Sequence, residues 1–176
     1  MKIEIDITDK PFRKEYRIDK MSIKKTNSKN SIILGLATLT VILNGLIGHF
    51  FAPMGIMLTP IAMTITTLFV CIGTSNIKLY WISILTFLFI ALNDILIKLY
   101  AGGSHDKEGS GFILSFLVIG LVPTLIILLI KIFGYKDEKK ALKTKVFILF
   151  IVLLVIHLIL TVNLGLGRCY WYDWNG

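Results

Sequence analysis

Asp94 is the residue of this chain whose type and position point most directly to chemistry. It lies near the end of an apolar stretch, with Asn93 before it and Lys98 four residues after it. An ionisable side chain within a membrane-spanning stretch is costly to bury and by default indicates a function. Two interpretations are open. Asp94 either pairs with Lys98 on one helical face, in the favourable order of acid before base, with both side chains reaching towards the membrane interface, or it binds a solute, a proton or a cation.

A glycine-rich segment, residues 102–111, carries three further side chains that could bind a ligand: His105, Asp106 and Glu108. Its glycines allow tight backbone turns, and imidazole and carboxylate groups are ligands for zinc or manganese. The spacing completes no metal site, because His105 and Asp106 are adjacent and a fourth ligand would have to come from elsewhere. A weak metal site, a polar binding or lid loop and a plain flexible turn all remain open.

The polar side chains within the apolar stretches gather towards one end of those stretches. Asn44 lies near the end of the first and Asn163 near the end of the fifth. His157, near the middle of the fifth, predicts a hydrogen bond to a neighbouring helix or membership of a proton path. The candidate binding residues are Asn44, Asn93, Asp94, Lys98, His105, Asp106, Glu108 and Asn163.

The composition indicates that these residues belong to a polytopic membrane protein. Hydrophobic residues make up 55% of the 176 residues and charged residues 17%, whereas charged residues approach about a quarter of a soluble domain. A bundle of helices uses most of a chain of this length, because each span takes about 20 residues. A separate catalytic domain does not fit.

The apolar stretches predict an all-α fold of five transmembrane helices. Residues 31–77 carry no formal charge and are about twice as long as one span, so they must fold back. Pro53 is the natural reversal point. Alternatively, Pro60 begins the second helix with Thr59 as its cap, and residues 52–59 form a short extended or re-entrant segment. The predicted spans are about 31–51, 54–75, 79–99, 111–130 and 146–166.

Lysine and arginine are distributed unevenly around these spans. Sixteen of the 19 fall on one side, nine of them in residues 1–30 and six in residues 131–145, and three fall on the other. Positively charged flanks are retained in the cytoplasm, so the N-terminus is expected inside and the C-terminus outside. The alternative is a four-span chain in which residues 52–59 belong to an odd hairpin and one stretch is half inserted.

The chain divides into a basic cytoplasmic segment, residues 1–30, and one helix-bundle domain, residues 31–176. Part of the first segment has the pattern of a modest amphipathic helix that would lie on the cytoplasmic leaflet, where anionic lipid attracts lysine. The segment otherwise serves to set the topology or to dock a partner. Membrane lipid is therefore an expected partner, and nucleic acid is not.

Three classes of function agree with this pattern. The first, which we favour, is a small transporter or channel subunit of the plasma or bacterial inner membrane, with an outward-facing polar site and an oligomeric assembly. The second is a non-catalytic accessory, immunity or regulatory protein that contacts another membrane protein through its helices and basic tail. The third, an enzyme acting on a headgroup, is the least supported because the motifs of membrane-embedded catalysis are missing. We expect no cofactor.

Overall fold

A computed structural model gives the backbone of residues 10–101, 107–136 and 138–164, with side chains described from residue 28 onwards except at 107. Every regular element in these residues is helical. The helices are α1 (Lys10–Phe50), a 3₁₀ helix (Met54–Leu58), α2 (Thr59–Leu68), a π-helical turn (Phe69–Gly73), α3 (Leu79–Tyr100), α4 (Lys107–Gly134) and α5 (Lys140–Thr161).

Five helical stretches in the described residues are long and apolar enough to cross a membrane. They comprise Ser28–Phe50, Met54–Gly73, Leu79–Tyr100, Glu108–Gly134 and Lys140–Thr161. The first four lie within four residues of the predicted limits, whereas the fifth begins six residues and ends five residues before its predicted limits. The prediction of an all-α bundle is confirmed for the described residues, and five helices long and apolar enough to span a membrane favour five spans over four. The first helix runs on without interruption to Lys10, well beyond its apolar part.

The reversal after the first span follows the first sequence-based alternative, with the chain turning at Pro53 and the second span beginning at Met54. The segment before Pro60 is a 3₁₀ helix and is not extended. Pro60 does lie in the first turn of α2, where its missing N–H costs nothing. Thr59 is not the cap, because Leu58 occupies that position and makes no side-chain bond.

Helices that are two apart in the chain run parallel and pack together. Ser83 donates to the carbonyl of Val146, and Lys98 to that of Thr161, and both pairs are separated by 63 residues. This constant offset shows that α3 and α5 lie parallel in one register. The same holds for α2 and α4, where Thr67 donates to Thr124 over an offset of 57 residues.

Close packing between α2 and α4 depends on Gly120. A Cβ atom on this residue would lie 2.9 Å from Cα of Pro60 and 2.8 Å from Sδ of Met63. Small residues permit such close approach between membrane helices.

Helix α3 lies between α1 and α5, so its side chains contact a protein helix on both sides. Among the described helices, α3 holds the most buried polar residues: Ser83, Thr86, Asn93, Asp94 and Lys98.

Candidate functional site

Asp94 and Lys98 form a buried ion pair on α3. The Lys98 Nζ atom lies 2.8 Å from Oδ2 of Asp94, and the two residues are 4% and 1% exposed. The predicted pairing is confirmed, since residues four apart lie on the same helical face. Lys98 does not extend to the protein surface, however, and its ammonium group is enclosed by α5.

Two residues of α5 complete what we call the carboxylate cluster: Asp94, Lys98, His157 and Thr161. The His157 Nε2 atom lies 2.9 Å from Asp94 Oδ2, and the Thr161 hydroxyl donates to that same oxygen over 3.1 Å. One carboxylate oxygen therefore accepts bonds from three side chains. Charge-assisted bonds of this kind are stronger than neutral ones, so the cluster links α3 firmly to α5.

The Lys98 ammonium group has all three of its N–H bonds directed at an acceptor. Besides Asp94 Oδ2, the Lys98 Nζ atom donates to the carbonyl oxygen and to the hydroxyl oxygen of Thr161, each over 3.1 Å. Thr161 is the last residue of α5, so this carbonyl is one of the four that have no partner inside the helix. A cation at the C-terminal end of a helix also interacts favourably with the helix dipole.

The second oxygen of Asp94 has a different environment. Oδ1 is buried and has no hydrogen-bond partner among the residues that the structure describes. An unpaired buried acceptor costs free energy, and in native proteins it calls for a functional or structural explanation. Asp94 thus presents one fully bonded oxygen and one oxygen that can accept a further donor.

Asn93, next to Asp94 in sequence, belongs to a separate set of neutral contacts that we call the amide network: Asn44, Asn93 and Thr59. The Asn44 side-chain amide donates to Asn93 Oδ1 over 2.8 Å and to the Thr59 hydroxyl over 3.4 Å. These residues join α1, α2 and α3. Asn44 Oδ1 and Asn93 Nδ2 are also buried without a partner in the described part of the chain.

Two of the remaining predicted site residues, Glu108 and Asn163, are in neither group. Glu108 is exposed in the first turn of α4, and Asn163 is exposed in the turn after α5. His105 and Asp106 lie outside the described residues, so their part in the site stays a prediction. No group of three metal-ligating side chains occurs in the parts of the chain that the structure describes.

Sequence reasoning missed that His157 and Thr161 meet Asp94. The available signal was their spacing: His157 and Thr161 are four apart, as are Asp94 and Lys98, and each pair lies in the last two turns of its helix. Thr59 was considered only as a helix cap, yet its hydroxyl accepts from Asn44. Both omissions concern contacts between different helices.

An open groove between α2 and α4 is chemically distinct from these clusters. It has a volume of about 530 Å³, and its lining comprises Pro60, Ile61, Thr64, Ile65, Ile119, Val122 and Pro123. The one hydroxyl there, on Thr64, is bonded to the carbonyl of Pro60. We assign the candidate site to the carboxylate cluster because buried charge within a membrane span indicates function, whereas the groove contains no reactive group.

Comparisons with protein-family models, with curated proteins and with solved structures found no match to this chain.

Proposed function

We propose that this protein is a small transporter or channel subunit that binds and passes a small solute or ion at the site around Asp94. The observation that carries the proposal is the state of Asp94, which is buried, charged and bonded through one oxygen while its other oxygen is free to accept a donor. A purely structural carboxylate is better stabilised when both oxygens are bonded.

The topology supports an outward-facing site. With the N-terminus in the cytoplasm, as the distribution of lysine and arginine favours, the ends of α1, α3 and α5 that carry Asn44, Asp94 and His157 face the outside of a cell membrane. Because five helices enclose little volume, we propose that the active form is an oligomer of this chain. Asn163, Glu108, His105 and Asp106 would then lie on the approach to Asp94.

The experiment combines Asp94→Asn with His105→Ala and measures charge movement across vesicles that contain the purified protein. We expect the double variant to insert and assemble like the wild type yet to lose charge movement. Glu138→Gln removes a carboxylate elsewhere in the chain and is the matched control. Charge movement at the wild-type level in the double variant would remove this site from consideration.

A second function is favoured by one observation, namely that the ammonium of Lys98 is fully bonded within the protein. An ammonium group whose three N–H bonds all have acceptors within the protein also suits a non-catalytic accessory or regulatory protein held rigid by helix contacts. For that function, deletion of residues 1–25 should abolish activity while substitutions in residues 102–106 are tolerated. For a transporter, substitutions in residues 102–106 should reduce activity more than deletion of residues 1–25 does.

A further inference from the structure

We propose that the species bound at this site is a proton, and that Asp94 and His157 share it while Thr161 and Lys98 hold the pair in place. This inference rests on the proposed function, because it names the ligand of the same site. It is carried by the juxtaposition of a carboxylate, an imidazole, a hydroxyl and an ammonium group in one buried cluster.

The contact between His157 and Asp94 fixes which ring nitrogen carries hydrogen. The Nε2 atom lies 2.9 Å from Asp94 Oδ2, and an ionised carboxylate can only accept, so Nε2 must donate. In the neutral ring Nδ1 then keeps its lone pair. No described residue hydrogen-bonds to Nδ1, which makes this atom the point where a proton can be added.

Proton binding follows as two transfers that conserve charge and atoms. A proton from water forms an N–H bond at Nδ1 and converts the ring of His157 to imidazolium. The ring then gives its Nε2 proton to Asp94 Oδ2, which becomes a neutral carboxylic acid, while the ring is again neutral with hydrogen on Nδ1. One proton is bound, no electron is transferred, and the reverse steps or loss from the carboxyl group release it.

Thr161 keeps its own hydrogen bond when Asp94 changes charge. Its single hydroxyl hydrogen faces two acceptors, Asp94 Oδ2 at 3.1 Å and the carbonyl oxygen of His157 at 2.9 Å. When Asp94 is protonated, the hydroxyl can turn to the carbonyl, and Lys98 keeps its two acceptors on Thr161. Thr161 and Lys98 therefore both stay bonded in the two states, which lowers the cost of protonation.

The same geometry disfavours a metal cation. Lys98 Nζ is 2.8 Å from Asp94 Oδ2, so a metal ion on that carboxylate would lie close to a like charge in surroundings of low dielectric constant. Among the described residues, the ion pair of Lys98 and the hydrogen bond of His157 both end on Asp94 Oδ2. The other contact of the His157 ring is apolar, with the ring of Phe87 at 6.0 Å. Asp94 and Lys98 are therefore the charged groups of the cluster.

The test measures proton entry into vesicles of neutral lipid that contain the purified protein and a pH-sensitive dye. A potassium diffusion potential, negative inside, drives protons inwards, and total charge movement is recorded in parallel. We expect the interior to acidify with the wild type. Asp94→Asn and His157→Gln should each slow acidification at least tenfold.

Matched variants separate this role from a general loss of structure. His49→Gln changes an exposed histidine that bonds to the carbonyl of Tyr100, and Glu138→Gln changes a distant carboxylate, so both should acidify within twofold of the wild type. Thr161→Val should shift the pH of half-maximal acidification, whereas Thr161→Ser, which keeps the hydroxyl, should have the wild-type value. Elution volume and helical content, compared for all variants, identify any that fail to fold.

Two results would overturn the inference. The first is acidification by Asp94→Asn or His157→Gln at the wild-type rate. The second is a wild type that moves charge without acidifying, with Asp94→Asn abolishing that movement, which would leave the proposed function intact while excluding the proton as its ligand. If charge movement does not depend on Asp94, the proposed function fails as well.

For variants that do not fold, the wild type supplies a second measurement. Nitrogen NMR of the His157 ring as a function of pH should show hydrogen on Nε2 at high pH and a coupled titration with Asp94. A ring that keeps one protonation state across the range in which acidification changes would contradict the proposal.

Discussion

Asn93 and Asp94 are neighbours in the chain, yet they belong to two polar groups that differ in charge and in the helices that they join. Asn93 joins α3 to α1 through a neutral amide bond. Asp94 joins α3 to α5 through a charged cluster in which three side chains meet one oxygen. Both groups are buried, so the contrast between them is one of charge and connectivity.

The comparison teaches that burial alone does not reveal function. A neutral amide network that loses one member loses hydrogen bonds whose net contribution is modest. A charged cluster that loses one member keeps an uncompensated charge in a place without water, which is far more costly. The amide network therefore suits a link between helices, and the carboxylate cluster suits a site that responds to an added proton.

The largest expected effect is that of Asp94→Ala on stability. The variant leaves the Lys98 ammonium buried without its counter-charge, and breaking a buried ion pair in this way costs about 3–5 kcal/mol. Reversible unfolding in mixed micelles of mild and denaturing detergent measures the loss. An Asn93→Ala variant with an equal loss would show that the two groups do not differ.

A second variant sharpens the comparison by removing both charges at once. Asp94→Leu combined with Lys98→Met should recover about 3 kcal/mol of that loss, since apolar residues of similar volume often replace a buried pair at no net cost. The same unfolding assay measures the recovery, and charge movement should remain absent. If the double variant is as unstable as Asp94→Ala, the uncompensated ammonium is not the cause.

In the amide network the expected effect is smaller. Asn44→Ala and Asn93→Ala should each cost about 1 kcal/mol, the scale of hydrogen bonds between membrane helices. Because the two amides bond to each other over 2.8 Å, the double variant should cost less than the sum of the single ones. Strictly additive losses in the unfolding assay would mean that this bond contributes nothing.

Thr161→Val should have the smallest effect on stability, about 0.6 kcal/mol, because Lys98 still donates to Asp94 and to the Thr161 carbonyl. Thr161→Ser keeps the hydroxyl and should lie nearer the wild type. Both are measured by the same unfolding assay. A loss comparable with that of Asp94→Ala would assign Thr161 a structural importance that the contacts do not indicate.

The number of apolar helices and the limits of the first three could be predicted because they depend on local properties. A run of about 20 apolar residues spans a bilayer wherever it occurs. Because proline lacks an N–H group, Pro53 marks the chain reversal and Pro60 marks the start of α2. The 3₁₀ helix before Thr59 was missed, since an apolar segment of five residues carries no signal that separates it from an extended one.

The candidate site was predicted only in part, for a related reason. The pairing of Asp94 with Lys98 was one of two interpretations that the sequence left open, because a spacing of four places them on one face of one helix. That His157 and Thr161 join them depends on α5 lying parallel to α3 at an offset of 63 residues. No rule of spacing along the chain gives that offset, because it is set by packing between helices.

The sequence by itself determined that this chain forms five apolar helices and that Asp94 lies within one of them. The tertiary structure decided that Lys98, His157 and Thr161 all meet a single oxygen of Asp94, and that its other oxygen is left without a partner in the described residues. The physical reason is that the length of an apolar stretch, a property of one segment, determines whether that segment spans a membrane. The contacts of a buried charge depend instead on which helices pack side by side and in which register.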